Sequence, residues 1–241
     1  MKILVVNDDS INASGIALLA KAAMKFGEVT VVAPAQQCSA MSQKLTIRGE
    51  LRVEKEEDFP VPVKAAYKVD GTPVDCVKVA LHYILKEKPD YVFSGINDGY
   101  NVGFDIAYSG TLGAAFEAVM HGIPAMAFSN TMHAPMDIAE AYLEPVIQEL
   151  LEAELKPGEV WNVNFPSVDP SDFKGILKDR PVAGVPVYQE KYIPTIHSDG
   201  SVSLEISGHP LPVEDGVPEG TDVEAVMHGY ISIGKVKSVV L

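Results

Sequence analysis

Lys2 to Val6 is a β-branched apolar run of the kind that forms a buried strand. Ala13 to Phe26 follows with Ile16, Leu19, Ala20 and Ala23 at helical spacing, and Gly27 stands just after it as a stop. Glu28 to Ala33 is a second buried strand, ended by Pro34. Strand, helix, strand is the opening of a parallel sheet. The alternation continues: Val74 to Leu85 predicts a helix, Tyr91 to Ser94 a strand, Thr111 to His121 a helix, Pro124 to Phe128 a strand, Ile138 to Leu151 a helix and Val160 to Asn164 a strand. Right-handed crossovers turn this order into an α/β fold: a Rossmann-like, open, mostly parallel sheet with helices on both faces.

After Pro166 the pattern changes. Residues 167 to 220 are rich in proline and glycine and hold no sustained helical period. Pro186–Tyr188 and Val202–Ile206 read as strands of a hairpin. A long excursion of this kind is a functional lid, an oligomerisation arm, or both. The tail regains order with Asp222 to His228 and a strand over Gly229 to Val236. The expected division is a catalytic core over 1–165, with a C-terminal β-hairpin and tail over 166–241 packed on it for oligomerisation. Read alone, the tail strand is unpaired and seeks a sheet edge, which predicts a homodimer that exchanges tails.

Charge narrows the partners. Acidic residues number 33 against 19 basic ones, a net charge of −14, so polymeric nucleic acid and anionic membrane surfaces are excluded as partners. A small phosphorylated ligand stays admissible, because one metal ion reverses the field inside a cleft. Cys38 and Cys76 lie far apart and read as reduced thiols. With no signal peptide or membrane span evident, a soluble cytoplasmic protein is expected.

Four segments could carry chemistry. Asn7-Asp8-Asp9-Ser10 closes the first strand, at the sheet edge where open parallel sheets bind ligands. Two adjacent carboxylates are costly there unless neutralised, and a hard divalent cation takes such oxygens; a plain helix cap by Asp9 or Ser10 is the competing reading. Ser94 to Gly103 has three glycines spaced four apart, with Asn97 and Asn101 between them. It matches neither a dinucleotide nor a Walker motif, and an ordinary Asn/Gly turn is its alternative. Tyr108-Ser109-Gly110-Thr111 opens a helix, where free N–H groups and hydroxyls make a phosphate cradle or a simple cap. Ser39-Ala40-Met41-Ser42 lies in the loop after the second strand, at the same edge. The six histidines form no metalloprotease motif, and no nucleophile elbow exists; among them His228 stands out for lying near Asp222.

Together these segments resemble the stationary-phase survival protein SurE family. The blocks are Asn7-Asp8-Asp9, Ala33-Pro34 with Ser39, Leu45-Thr46, Gly71-Thr72-Pro73-x-Asp75-Cys76-Val77, Ser94-Gly95-Ile96-Asn97-x-Gly99-x-Asn101, Tyr108-Ser109-Gly110-Thr111 with Ala114-Ala115, and Thr221-Asp222-Val223 with Gly229-Tyr230-Ile231-Ser232-Ile233. They run in order along essentially the whole chain. The resemblance implies a 5′-nucleotidase, a metal-dependent phosphomonoesterase acting on nucleoside 5′-monophosphates and also on 3′-monophosphates. It implies one divalent ion per subunit, Mg²⁺ or Mn²⁺, on Asp8, Asp9, Ser39 and Asn97. Asn101, Ser109, Gly110 and Thr111 would line the phosphate, and the carboxylate pair would carry catalysis. It also implies a homodimer or homotetramer joined through exchanged C-terminal arms. Two departures stand out: Ser10 replaces the family's usual Gly, and Cys38 and Ala40 flank Ser39 where Arg and Gly are common. A phospho-receiver module is a poorer match, because Arg48 to Val69 offers no acceptor Asp after a buried strand. A nucleotide-binding protein without turnover is the other alternative.

Overall fold

A computed structural model describes residues 1–210 and 216–238. The first part of the chain forms β1 (Lys2–Val6), α1 (Ser14–Ala23), β2 (Glu28–Pro34), β3 (Val53–Lys55), β4 (Ala65–Val69), α2 (Pro73–Val79), β5 (Tyr91–Asp98), α3 (Gly110–Met120), β6 (Ala125–Asn130), α4 (Asp137–Glu152) and β7 (Glu159–Phe165). The remainder forms β8 (Gly175–Leu177), β9 (Tyr188–Ile196), β10 (Val202–Pro210), α5 (Asp222–Met227) and β11 (Tyr230–Lys237). Among the described residues one sheet runs β3-β4-β2-β1-β5-β6-β7-β11-β8, and β9 pairs with β10 apart from it. The six strands from β4 to β7 in that order are mutually parallel, β3 is antiparallel to β4, and β11 is antiparallel to β7 but parallel to β8.

Side-chain alternation along β1 divides the core between the two faces. Ile3 and Val5 pack with Ile16 and Leu19 of α1 and Leu143 and Ile147 of α4. Leu4 and Val6 pack with Cys76 and Val77 of α2 and Leu112 and Ala115 of α3. The chain leaves β1 for β2 on one side and later places β5 on the other. That reversal opens a crevice at the carboxyl ends of β1 and β5, where ligands bind in open α/β sheets.

The expected fold class holds, with differences in detail. The helix expected over Val74 to Leu85 is α-helical only to Val79 and finishes as a π-helical turn, Ala80–Ile84. β5 does not stop at Ser94 but runs to Asp98, so Ser94 to Asp98 is strand rather than loop. A bulge hides this from periodicity: Ser94 pairs with Ala127 and Asn97 with Ser129, so β5 carries an extra residue. The hairpin pairs Tyr188–Ile196 with Val202–Pro210, and of the expected strand Pro186–Tyr188 only Tyr188 belongs to it. Pro194 masks β9 in the sequence, yet an exposed two-stranded ribbon tolerates proline.

The expectation that the tail strand needs a partner's sheet is corrected. β11 lies inside the chain's own sheet between β7 and β8, with Ile231 and Ile233 buried. α5 is fixed as well. The Asp222 carboxylate accepts from the backbone N–H groups of Gly103 (3.0 Å) and Ala183 (2.8 Å), while Val223 and Val226 join Val102, Ala183 and Val187 in a small core. The C-terminal part therefore braces the loop after β5. No helix among the described residues is long and apolar enough to cross a membrane.

Candidate active site

Asn7, Asp8 and Asp9 follow β1, and the Asn7 side chain fixes the turn by donating to Ser10 O at 2.8 Å. Asp8 is buried. Its Oδ1 accepts from the Thr111 hydroxyl at 2.7 Å. Burial, and then the neighbouring Asp9 charge, push the Asp8 carboxyl up to about 7 against that bond. Asp9 is half-buried; its Oδ1 accepts from Gln37 Nε2 (3.2 Å) and its Oδ2 from the Asp98 N–H (2.8 Å). Burial raises Asp9 too. Neither carboxylate has a lysine or arginine ion-pair partner among the described residues.

The loop after β2 is tied down at three places: to this turn, to the segment before α3 and to the start of α2. Cys38 N donates to Asp8 O at 2.7 Å, which sets the exposed Ser39 beside the carboxylates. Ser42 donates through N to Tyr108 O (3.0 Å) and through Oγ to Ala107 O (2.9 Å). Further on, the Asp75 carboxylate accepts from Thr46 N (3.0 Å) and Thr46 Oγ1 (2.7 Å) while also capping α2 through Thr72 N (2.9 Å). Where the family pattern has glycine, Ser10 takes φ +89° and Ala40 φ +54°, the left-handed region that glycine fills without strain; Cys38 in place of Arg instead changes the charge beside Ser39. Cys38 and Cys76 are free and buried.

β5 and α3 complete the site. Asn97 Nδ2 donates to Gly99 O at 2.7 Å, leaving its amide oxygen as the remaining acceptor. At Gly110 a Cβ would lie 2.9 Å from Asp8 Oδ2, so glycine is what lets α3 start against the carboxylate. Ser109 caps α3 by accepting from Leu112 N at 3.0 Å. The first N–H groups of α3 have no intrahelical acceptor. Asn101 is placed differently from a group lining a ligand. It is buried, and its Nδ2 donates to Ser129 Oγ (2.7 Å) and Thr111 Oγ1 (3.3 Å). Its backbone is held by Asn162 and Asn164 of β7. It supports Thr111, which in turn holds Asp8.

The structure thus brings Asp8, Asp9, Ser39, Asn97, Gly110 and Thr111 to one sheet edge. His228 is not among them; it is exposed at the end of α5. A residue without a motif is present instead. His133 Nδ1 lies 2.8 Å from Asp98 Oδ2, and both line a cleft of about 370 Å³ with Asp9, Asn97 and Gln37. Its one sequence signal is position, just past a strand at the ligand-binding edge.

The family model described as survival protein SurE matches residues 3–183. A protein named 5′-nucleotidase SurE from Thermoanaerobacter sp. (strain X514) is 39% identical over 239 residues, covering 97% of this chain and 90% of the relative. 5′-nucleotidase SurE 1 from Thermus thermophilus is 39% identical over 236 residues, with the same coverage. The crystal structure of the SurE protein from Aquifex aeolicus superposes with a TM-score of 0.83 at 33% identity, covering 98% of this chain and 93% of that one. With a family model across most of its length and relatives matching it nearly end to end, the chain belongs to the SurE family.

Proposed function

We propose that this chain is a divalent-metal-dependent phosphomonoesterase that hydrolyses nucleoside 5′-monophosphates, and 3′-monophosphates beside them, to nucleoside and phosphate. The observation that carries this reading is a pair of unneutralised carboxylates held against an open helix start at the sheet's switch point. Its relatives are named 5′-nucleotidases.

The residues present fit a hard cation. Two carboxylates, a free hydroxyl and an amide oxygen are all oxygen donors, the set suited to Mg²⁺ or Mn²⁺. No cluster of three or more His, Cys, Asp or Glu is arranged for a metal among the described residues, so neutral oxygens must complete the set. Asp8, Asp9, Ser39 and Asn97 would hold one ion per subunit. Such an ion polarises phosphoryl oxygens and lowers the pKa of water. The chain's own part is positional. The α3 start, capped by Ser109 and opened by Gly110 and Thr111, sets the helix N-terminus toward the phosphoryl oxygens. Asn101 fixes the Thr111 hydroxyl on Asp8. Asp98 N and Gln37 fix Asp9, and with it the line of attack.

Phosphate release from a panel of nucleoside monophosphates, with EDTA and with Mg²⁺ or Mn²⁺ restored, tests the reading. The expected result is loss with chelation and recovery with either ion. Nucleotide binding without phosphate release would make the chain a binding protein; full activity in metal-free protein would end the metal assignment.

We also propose that subunits associate as a homodimer or homotetramer through an exchanged arm, the β9–β10 hairpin. Tyr192 and Ile196 of β9 face Ile206 and Val202 of β10 across the ladder, and all four are at least half exposed. An apolar ladder of this size on a projecting ribbon wants cover.

A further inference from the structure

The residues assigned so far hold the phosphoryl group; none gives a proton to the departing alcohol. An alkoxide of a nucleoside is a poor leaving group, and a positioned acid contributes about 10²–10⁴-fold to such a step. The Asp8 side of the site is filled by Gly110 and Thr111, so space for the alcohol lies on the Asp9 side. There the cleft of about 370 Å³ opens, lined by Asp9, Asn97 and the exposed His133.

Asp98 grips His133 twice. Its Oδ1 accepts from the His133 backbone N–H at 2.5 Å, and its Oδ2 lies 2.8 Å from Nδ1. His133 takes φ +52° in that grip. A carboxylate on Nδ1 leaves Nε2 as the ring's working atom. The backbone N–H of the same Asp98 donates to Asp9 Oδ2 at 2.8 Å, so one residue ties the imidazole to the carboxylate pair.

We propose that His133, oriented by Asp98, is the general acid that protonates the departing nucleoside oxygen, an assignment that rests on the phosphomonoesterase reading above. The ester P–O bond breaks with its electron pair passing to the alcohol oxygen, which takes the Nε2 proton. A water oxygen forms the new P–O bond and releases one of its protons to solvent, and the imidazole regains a proton from solvent, so the protons balance. No group is oxidised or reduced. Asp98 is a positioning residue.

The test compares adenosine 5′-monophosphate with p-nitrophenyl phosphate, whose leaving group needs no acid. In His133→Gln and His133→Ala, kcat on the nucleotide is expected to fall about a hundredfold, at least tenfold more than on the aryl ester, with KM changed less than kcat. Asp98→Asn shows the same selectivity to a smaller degree. Independently of turnover, adenosine added to the wild-type protein shifts the His133 ring signals in NMR. Equal losses on the two esters, unchanged kcat on the nucleotide, or ring signals indifferent to adenosine would overturn the assignment. A wild-type protein that hydrolyses neither ester would instead overturn the phosphomonoesterase reading itself.

Discussion

Ser10 and Ala40 hold backbone angles that cost a side chain of order 1 kcal/mol or more. Ser10→Gly and Ala40→Gly are therefore each expected to raise the melting temperature, despite the entropy glycine adds to the unfolded chain; a drop in both would show that the side chains make compensating contacts. Asp8 offers a test in pH. Its carboxyl is raised from 3.8 to about 7 in the folded chain, so the folded state binds that proton more tightly than the unfolded state. The metal-free protein is fully free of the penalty below about pH 4 and loses up to about 4 kcal/mol as pH rises through 7. Denaturant titrations between pH 5 and 8 should show this loss, and Asp8→Asn should flatten it. Asp9→Asn should lower turnover at least a hundredfold, about 3 kcal/mol of transition-state stabilisation, while leaving the thermal transition intact; steady-state kinetics beside calorimetry decide it. Asp8, Asp9 and Gly110 are legible in the sequence because each follows or opens an element whose boundary the sequence marks. The supporting role of Asn101 is not, since its partners Ser129, Asn162 and Asn164 arrive from two other strands. His133 is hidden for the same reason: only the fold sets it beside Asp98.

At the scale of elements, the loop after β2 carries Ser39 but has little core of its own; residues 43 to 50 are exposed. Its order is borrowed. Asp75, buried at the start of α2, divides its oxygens between Thr72 and Thr46. Burial alone would raise its carboxyl, yet those bonds hold it below the ordinary value. Asp75→Ala removes the reciprocal half of the α2 capping box and the anchor of the loop, while the Thr72 cap on the residue-75 N–H stays, and should cost about 2–4 kcal/mol. Hydrogen exchange should quicken in residues 39–48 as well as in α2; protection lost from α2 alone would separate the loop from this anchor. Most of the strand–helix alternation up to β7 is readable because buried parallel strands are continuous apolar runs, as in Glu28 to Pro34; β3 and β4, short and mostly half-buried, carry no such run and are not. β5 beyond Ser94 is not, because its bulge and polar residues erase that signature.

For the molecule as a whole, the hairpin and the tail part company. Deleting 188–210 removes the ribbon without touching the nine-stranded sheet, so it should change the assembly seen by light scattering and leave a folded subunit. Cutting the chain after Asp222 removes β11 from between β7 and β8 and should give aggregates without a cooperative transition; a folded, soluble product would show that the sheet closes without its last strand. The tail's place escapes a reading of the sequence because an apolar strand does not say whose edge it will join. That place in the sheet also bears on how the protein is made. A ribosome delivers β7 long before β11, and β8, which among the described residues pairs only with β11, must wait for it. Until residue 237 emerges, the nascent domain presents the open edge of β7 to its neighbours. The sheet is therefore sealed only when β11 is delivered, and translation halted between β7 and β11 should leave a product that chaperones hold and proteases clear.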